Sequence, residues 1–272
     1  MTVFHCTHAK TYNPKKHDDI KGWLCFEKHD GLRGLWKPDK KAFFSKSNKI
    51  INAPPFVIEQ MSNVEIELDG ELCLGRGQFQ KCMSVTSKKN PTDLGWENVQ
   101  YKVFDSLAYD KSDWYDRIKK VEDSIKGLIF PSLLEHKIIL NHNDARKEFM
   151  HYTQLLGEGI ILRNPEAPYE FKKSSNLLKW KDRVDGLAIV VSSQRGTPGK
   201  ANANRMGALF VKEVDNNLNV VKWAKEFKIG IGFTFEDRER DDWIGKVIRW
   251  DANDYTNSLI PRHAAYRCIY EG

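Results

Sequence analysis

Glu27–Arg33 reads EKHDGLR: a lysine, an acid two residues on, then a glycine, and an arginine five residues on. A lysine amine attacks only when neutral. With an ordinary pKa near ~10.4, about one in a thousand is neutral at physiological pH. A site that uses such an amine must disfavour the ammonium with nearby cations, a metal or desolvation. The bland alternative is a charged turn with Asp30-Gly31 at its apex. Other segments offer the surroundings the first reading needs. Glu67–Leu72 (ELDGEL) carries three carboxylates, and strand alternation sets Glu67, Asp69 and Glu71 on one face. A bare carboxylate face needs a metal, a hydroxyl or a cation against it. Tyr101–Asp105 (YKVFD) offers an aromatic to stack on a base. Residues 157–162 (GEGIIL) begin a strand with Glu158 at its tip. Leu177–Lys181 (LLKWK) sets Lys179 and Lys181 on one strand face, about 7 Å apart. Two such amines call for an anion between them.

These residues must be held by short strands and two helices. Val64–Leu68 alternates and Leu72–Leu74 follows Asp69-Gly70, which predicts a hairpin. Gln100–Phe104, Ile160–Leu162 and Leu177–Trp180 are further expected strands. In Trp114–Gly127 the apolar Trp114, Ile118, Val121 and Ile125 recur at helical spacing, and Gly127 ends the helix. Asn143–Leu156 is the second expected helix, capped by Asn143 or Asp144. The pattern changes near Lys181–Asp185, where a hinge at Asp182–Asp185 is expected. Beyond it come strands at Leu187–Val191, Gly207–Val211, Val220–Trp223, Phe227–Ile229, Lys246–Trp250 and Ala265–Ile269, with a flexible Ser192–Arg205 segment. That is the size of a small β-barrel such as an OB-fold. The domains are therefore read as 1–183 and 184–272.

The 272 residues are 40% hydrophobic and 29% charged, which excludes long disorder and a fibrous rod. No apolar run reaches ~18 residues, so no membrane span is expected. The N-terminal stretch lacks an apolar core and a cleavage site, so no export signal is expected, and the cell interior is the expected location. Five scattered cysteines without a C-x-x-C pair fit a reducing compartment. His5, Cys6 and His8 are read as packed strand rather than metal ligands. Trp23, Trp36, Trp96 and Trp250 are read as packing residues. The net charge of +6 suits a polyanionic partner without proving one.

KHDGLR, LDGEL, YKVFD, GEGIIL and LLKWK, in this order, resemble the nucleotidyltransferase motifs of ATP-dependent DNA ligases. MGALFVK, FKIGIGFTFEDRER, GKVIRW and IPRHAAYR resemble the OB domain of the same family. SKSNKIINAPP and GELCLGRGQFQ are similar to the minimal bacterial accessory ligases (ligase E); small viral ligases are also similar. The resemblance implies an α+β fold: an adenylyltransferase (ATP-grasp-like nucleotidyltransferase) domain of antiparallel sheets and helices, then a β-barrel OB-fold. It implies ATP and Mg²⁺ as cofactors, nicked double-stranded DNA as substrate, and a monomer. Lys28 would become the lysyl-AMP. Glu27, Asp30, Arg33, Lys46, Glu71, Phe104, Lys179 and Lys181 would bind nucleotide, with Phe104 stacked on adenine and Glu71 on the ribose hydroxyls. Glu158, with Glu71, would hold metal. Arg33, Lys46, Arg195, Lys200 and Arg205 would contact DNA. Two departures stand out. Lys46 replaces an arginine of the family pattern and loses its bidentate fork. Gln194–Arg205 is too short to encircle a duplex. The rivals are an RNA ligase or mRNA-capping guanylyltransferase of the same chemistry, and a non-catalytic OB-type binder with a decayed site.

Overall fold

A computed structural model gives the structure of the protein and describes residues 3–17, 19–181, 183–222, 224–253, 255–256 and 258–271. The chain forms two compact units, 1–181 and 182–272. Among the described residues no helix is long and apolar enough to cross a membrane.

Two sheets build the first unit. One runs, in spatial order, His8–Thr11, Lys173–Lys181, Gly159–Arg163, Leu24–Glu27 and His136–Ile138. The other runs Ile50–Ile51, Ala42–Phe44, Leu32–Lys37, Leu68–Cys73, Gln100–Ser106 and Pro131–Leu133. The sheets are antiparallel except for one parallel pairing in each: His8–Thr11 with Lys173–Lys181, and Gln100–Ser106 with Pro131–Leu133. Alternation sorts the second sheet. Trp36, Leu72, Tyr101 and Val103 enter an apolar core with Val57, Met61 and Val121. Arg33, Glu71 and Lys102 stand opposite one another on three adjacent strands and share the other face.

The expected hairpin at Asp69-Gly70 is not formed. Leu68–Cys73 runs straight through these residues as one strand, paired on both sides. Gly70 is required by close packing rather than by a turn: a Cβ there would lie 2.6 Å from the Lys102 carbonyl and from the Tyr101 ring. Val64–Leu68 is accordingly not a strand. Glu67 precedes the ladder, so only Asp69 and Glu71 share the expected face.

Trp114–Ile125 is the expected amphipathic helix. Asp113 caps it by accepting from Asp116 N at 2.9 Å, and Gly127 follows with φ 79°. The second expected helix forms as His142–Gln154. Its cap is Asn141, earlier than expected, because the extended Asn141 side chain accepts from Asp144 N at 3.0 Å.

A buried ion cluster ties the sheets together. Arg117 Nε donates to Asp105 at 2.8 Å, and Arg163 from the other sheet pairs with the same carboxylate. Asp105 and Arg117 are sealed from solvent.

The second unit is a five-stranded barrel in the order Phe227–Ile229, Met206–Val214, Val184–Arg195, Val247–Ala252 and Ala265–Ile269. A parallel bridge between Ile231 and Ala265 joins its ends. Ala188, Val190, Leu209, Val211, Ile248 and Trp250 fill it. Residues 192–195 continue a strand, which shortens the expected loop to 196–205. Of the expected strand Val220–Trp223, Val220 makes one isolated bridge to Val214, so no full strand forms there among the described residues. Trp223 lies outside the described residues, as does Asp182 of the expected hinge.

Candidate active site

Register brings Lys28, Glu158 and Lys181 together. Lys28 N donates to Gly159 O at 2.9 Å, and Gly159 pairs with Lys181 on the next strand. The two lysines therefore flank one position of the central strand, and Glu158 stands one residue before it. The Glu158 carboxylate is ion-paired with Lys28 Nζ, and Lys181 Nζ lies 3.7 Å from its other oxygen. All three side chains keep about a fifth of their surface open, 18–22%.

Lys179 lies two residues before Lys181, on the same face of its strand. Among the described residues it has no ion-pair partner. Burial, then the charges of Lys28 and Lys173, push its ammonium below the ordinary lysine range, with Glu158 in opposition. Glu71 approaches the same charges from the other sheet. Burial raises its carboxyl to about 7; Lys28 and Arg33 pull it down, and Glu158 and Asp69 push it up. Near neutral pH it is therefore partly protonated and able both to donate and to accept.

Arg33 is committed within the protein. Nε donates to Asp69 at 2.7 Å, a second nitrogen pairs with the other Asp69 oxygen, and Nη1 donates to Thr7 O at 2.9 Å. Tyr169 Oη donates to the same carboxylate at 2.6 Å. What Arg33 still offers is its flat face, 5.1 Å from the centroid of the Phe104 ring. Phe104 sits at a bulge: Asp69 pairs with Asp105 and Gly70 with Val103, so Phe104 has no partner in that ladder. Tyr101, the other aromatic of its segment, is a core residue bonded to Gly34 O at 2.9 Å.

Glu27 is held by Arg76, whose Nε and Nη2 reach its two oxygens at 2.6 and 2.9 Å. Asp30 is half-buried between the strands Leu24–Glu27 and Leu32–Lys37. Lys46 is exposed in the turn after Ala42–Phe44; its charge helps lower both His8 and Lys179. In the second unit Arg195 and Lys200 are exposed. Arg205 donates to Glu239 at 3.1 Å and lies 5.3 Å over the Phe235 ring.

Three residues without an assigned role join this site. Lys102 shares a face with Arg33 and Glu71. His29 is half-buried; burial lowers its imidazole, Glu27 opposes this, and Lys102, Arg76 and Lys28 add to the lowering. Arg76 reaches Glu27 from another strand's end. Its one sequence signal is an arginine between two glycines, which names no partner.

Comparison with known proteins adds three findings. Residues 9–181 match a family model described as ATP dependent DNA ligase domain, and residues 198–269 match one described as DNA ligase OB-like domain. A DNA ligase of Haemophilus influenzae is 31% identical over 94% of this chain and 88% of its own length. A DNA ligase of Methanococcus maripaludis is 25% identical over 82% of this chain, which spans only 44% of that longer protein. Among solved structures, one from a study of DNA binding by Lig E DNA ligases superposes with a TM-score of 0.84 at 23% identity, over 99% of this chain and 100% of that one. A Chlorella virus DNA ligase-adenylate superposes with a TM-score of 0.54 at 20% identity, over 100% and 99%. At these identities the structures speak for the fold alone.

Proposed function

Since this chain belongs to the ATP-dependent DNA ligases, which seal 5′-phosphate/3′-hydroxyl nicks through lysyl-adenylate and DNA-adenylate, we propose that Lys28 is the residue that carries AMP. The observation that carries this reading is the Lys28–Glu158–Lys181 cluster, with Glu71 and Lys179 turned toward the same charges.

An ammonium held in an ion pair is not a nucleophile. The Lys28–Glu158 pair is therefore the resting arrangement, and nucleotide must break it. The triphosphate enters beside Lys179 and Lys181, whose charges offset the charge developing at the α-phosphate. Lys28 Nζ, its ammonium proton passed to solvent, attacks the α-phosphorus and sheds a second proton to solvent as the new bond forms. The P–N bond forms, the bond to the bridging oxygen breaks, and pyrophosphate leaves. The 5′-phosphate of a nick then displaces Lys28 from AMP, and the 3′-hydroxyl displaces AMP from the DNA.

Phe104, backed by the Arg33 guanidinium, stacks on adenine. Glu71 accepts from a ribose hydroxyl. Glu27, Asp30 and Lys46 complete the nucleotide shell. Arg33 contributes through its face and by fixing Asp69, because its fork is already engaged.

The donor chemistry also fits Mg²⁺. Glu71 and Glu158 are hard oxygen donors, though no group of three potential metal-binding side chains occurs among the described residues. A cation that takes one or two carboxylates and completes its shell with water and substrate phosphates suits such a pair, and it would neutralise phosphate charge. DNA contacts fall to Lys46, Arg195, Lys200 and Arg205, with phosphates dominating affinity, whereas the engaged fork of Arg33 removes it from the expected DNA contacts. A monomer acting on nicked duplex inside the cell completes the reading.

The test is incubation with α-labelled ATP or GTP and Mg²⁺, followed by nicked DNA or nicked RNA. Label on the wild type, none on Lys28→Ala, and sealing of the DNA nick are expected. Label surviving in Lys28→Ala would sink the lysine assignment. Loading with GTP alone, or sealing of RNA alone, would move the protein to a neighbouring class.

A further inference from the structure

Arg76 has no role in the reading above, yet it touches the residue next to the nucleophile. Its guanidinium makes two parallel bonds, Nε to Glu27 Oε1 at 2.6 Å and Nη2 to Oε2 at 2.9 Å. This is the fork-on-carboxylate geometry that fixes orientation as well as distance. The loop that delivers it is shaped for the purpose. Gly75 and Gly77 flank Arg76 with φ of 105° and 68°, conformations that other residues enter at a cost. The loop follows directly from the strand that carries Glu71.

On its other side, Glu27 is packed against the turn before Glu158. A Cβ on Gly157 would lie 3.2 Å from Glu27 Oε1. Glu27 is 13% exposed, so it has little room to move, while Arg76 is 38% exposed at the rim. The pair thus touches three segments: the one bearing Lys28, the one bearing Glu71, and the one bearing Glu158.

We propose that Arg76 is a positioning residue for self-adenylylation: it clamps Glu27 against the 157–158 turn and so fixes where Lys28 stands relative to Glu158. The inference rests on Lys28 being the adenylated residue. A displacement of about 1 Å in a reacting group can cost on the order of 10²-fold in rate, and a clamp one residue away is placed to prevent it.

The experiment separates adenylylation, which needs no DNA, from sealing. Wild type and Lys28→Ala are compared first, with ATP and Mg²⁺; label lost in Lys28→Ala establishes the premise, and label retained removes the premise rather than the clamp. Single-turnover AMP transfer is then measured for Arg76→Ala, Arg76→Lys, Glu27→Gln and the Arg76→Ala/Glu27→Gln pair, with thermal unfolding of each. The clamp predicts a 10- to 100-fold slower transfer step in Arg76→Ala, an apparent KM for ATP within about threefold of wild type, and an unchanged Tm. Arg76→Lys, with charge but no fork, restores less than half of the lost rate. The double variant is no slower than the worse single one, because both remove the same contact. Transfer within twofold of wild type combined with impaired sealing of pre-adenylylated protein would overturn the inference and make Arg76 a DNA contact. Slow transfer explained by a matching fall in Tm, or fully rescued by lysine, would overturn it too.

Discussion

Two carboxylates in the first unit each stand between two cations, and they do opposite things. Asp105 holds Arg117 and Arg163, and the Asp105–Arg117 pair is fully sealed. Glu158 holds Lys28 and Lys181, with about a fifth of each side chain open. Arginine is never deprotonated in a protein, and its fork saturates a carboxylate in fixed geometry. The Asp105 cluster is therefore a permanent tie between the sheets, with Asp105 also accepting from Ser106 N at 2.8 Å. Lysine is a point charge that can release its proton and leave its partner. Equal charge arithmetic gives a rivet in one place and, on the proposed reading, the adenylated lysine in the other. Residue type and solvent access make the difference.

The sharpest way to break this contrast is to put the rivet's chemistry into the site. Lys28→Arg keeps the charge and the Glu158 pair but has no amine to deprotonate. Complete loss of AMP labelling with an unchanged Tm is expected, read by intact-protein mass spectrometry; any AMP adduct on the Lys28→Arg variant would refute the distinction. Next comes the reciprocal pair. Arg117→Ala leaves a buried aspartate with one of its two cations and should cost about 3–5 kcal/mol, roughly a 10 °C fall in Tm. Glu158→Gln should cost under about 1 kcal/mol of stability, since the pair is partly open, while slowing adenylylation by on the order of 10²-fold. Equal stability losses would show that both clusters are structural.

Glu71 gives a smaller effect with a definite sign. Its folded-state value, about 7, stands above the ordinary 4.5 because of burial. The folded state thus holds the proton more tightly. Its contribution to stability is complete below about pH 4.5 and is lost as pH rises through about 7. Glu71→Gln should flatten this segment of the pH–stability curve and gain up to about 3 kcal/mol over the wild type above pH 7, measured by urea unfolding. The reverse slope would refute the burial assignment.

The smallest effect belongs to the second unit. Arg205 must leave Glu239 to meet a phosphate, and both side chains are well exposed. Arg205→Ala should reduce the salt slope of DNA binding by about one counterion and weaken all sequences alike. An unchanged slope would remove it from the interface.

Local periodicity was enough for the helix Trp114–Ile125 and for the strands around Phe104, Ile160 and Leu178, because apolar spacing is a property of contiguous residues. It misread Asp69-Gly70 as a turn, because the dipeptide favours one and the ring that excludes a side chain there belongs to Tyr101 on another strand. It gave Arg205 to DNA with no partner inside the chain, although Glu239 is within reach.

The sequence by itself determined the chemical inventory: an amine at Lys28, a carboxyl at Glu71 and at Glu158, two amines alternating at Lys179 and Lys181, and an order of motifs that names the family. Tertiary structure alone decided their use. It put Glu158 against Lys28 across 130 residues, engaged Arg33 with Asp69, buried Glu71 until its carboxyl reached about 7, and delivered Arg76 to Glu27. The reason is physical. Which groups can react is written in side-chain type, whereas pairing and desolvation depend on strand register and on what lies across the gap between two sheets, neither of which is local in the chain.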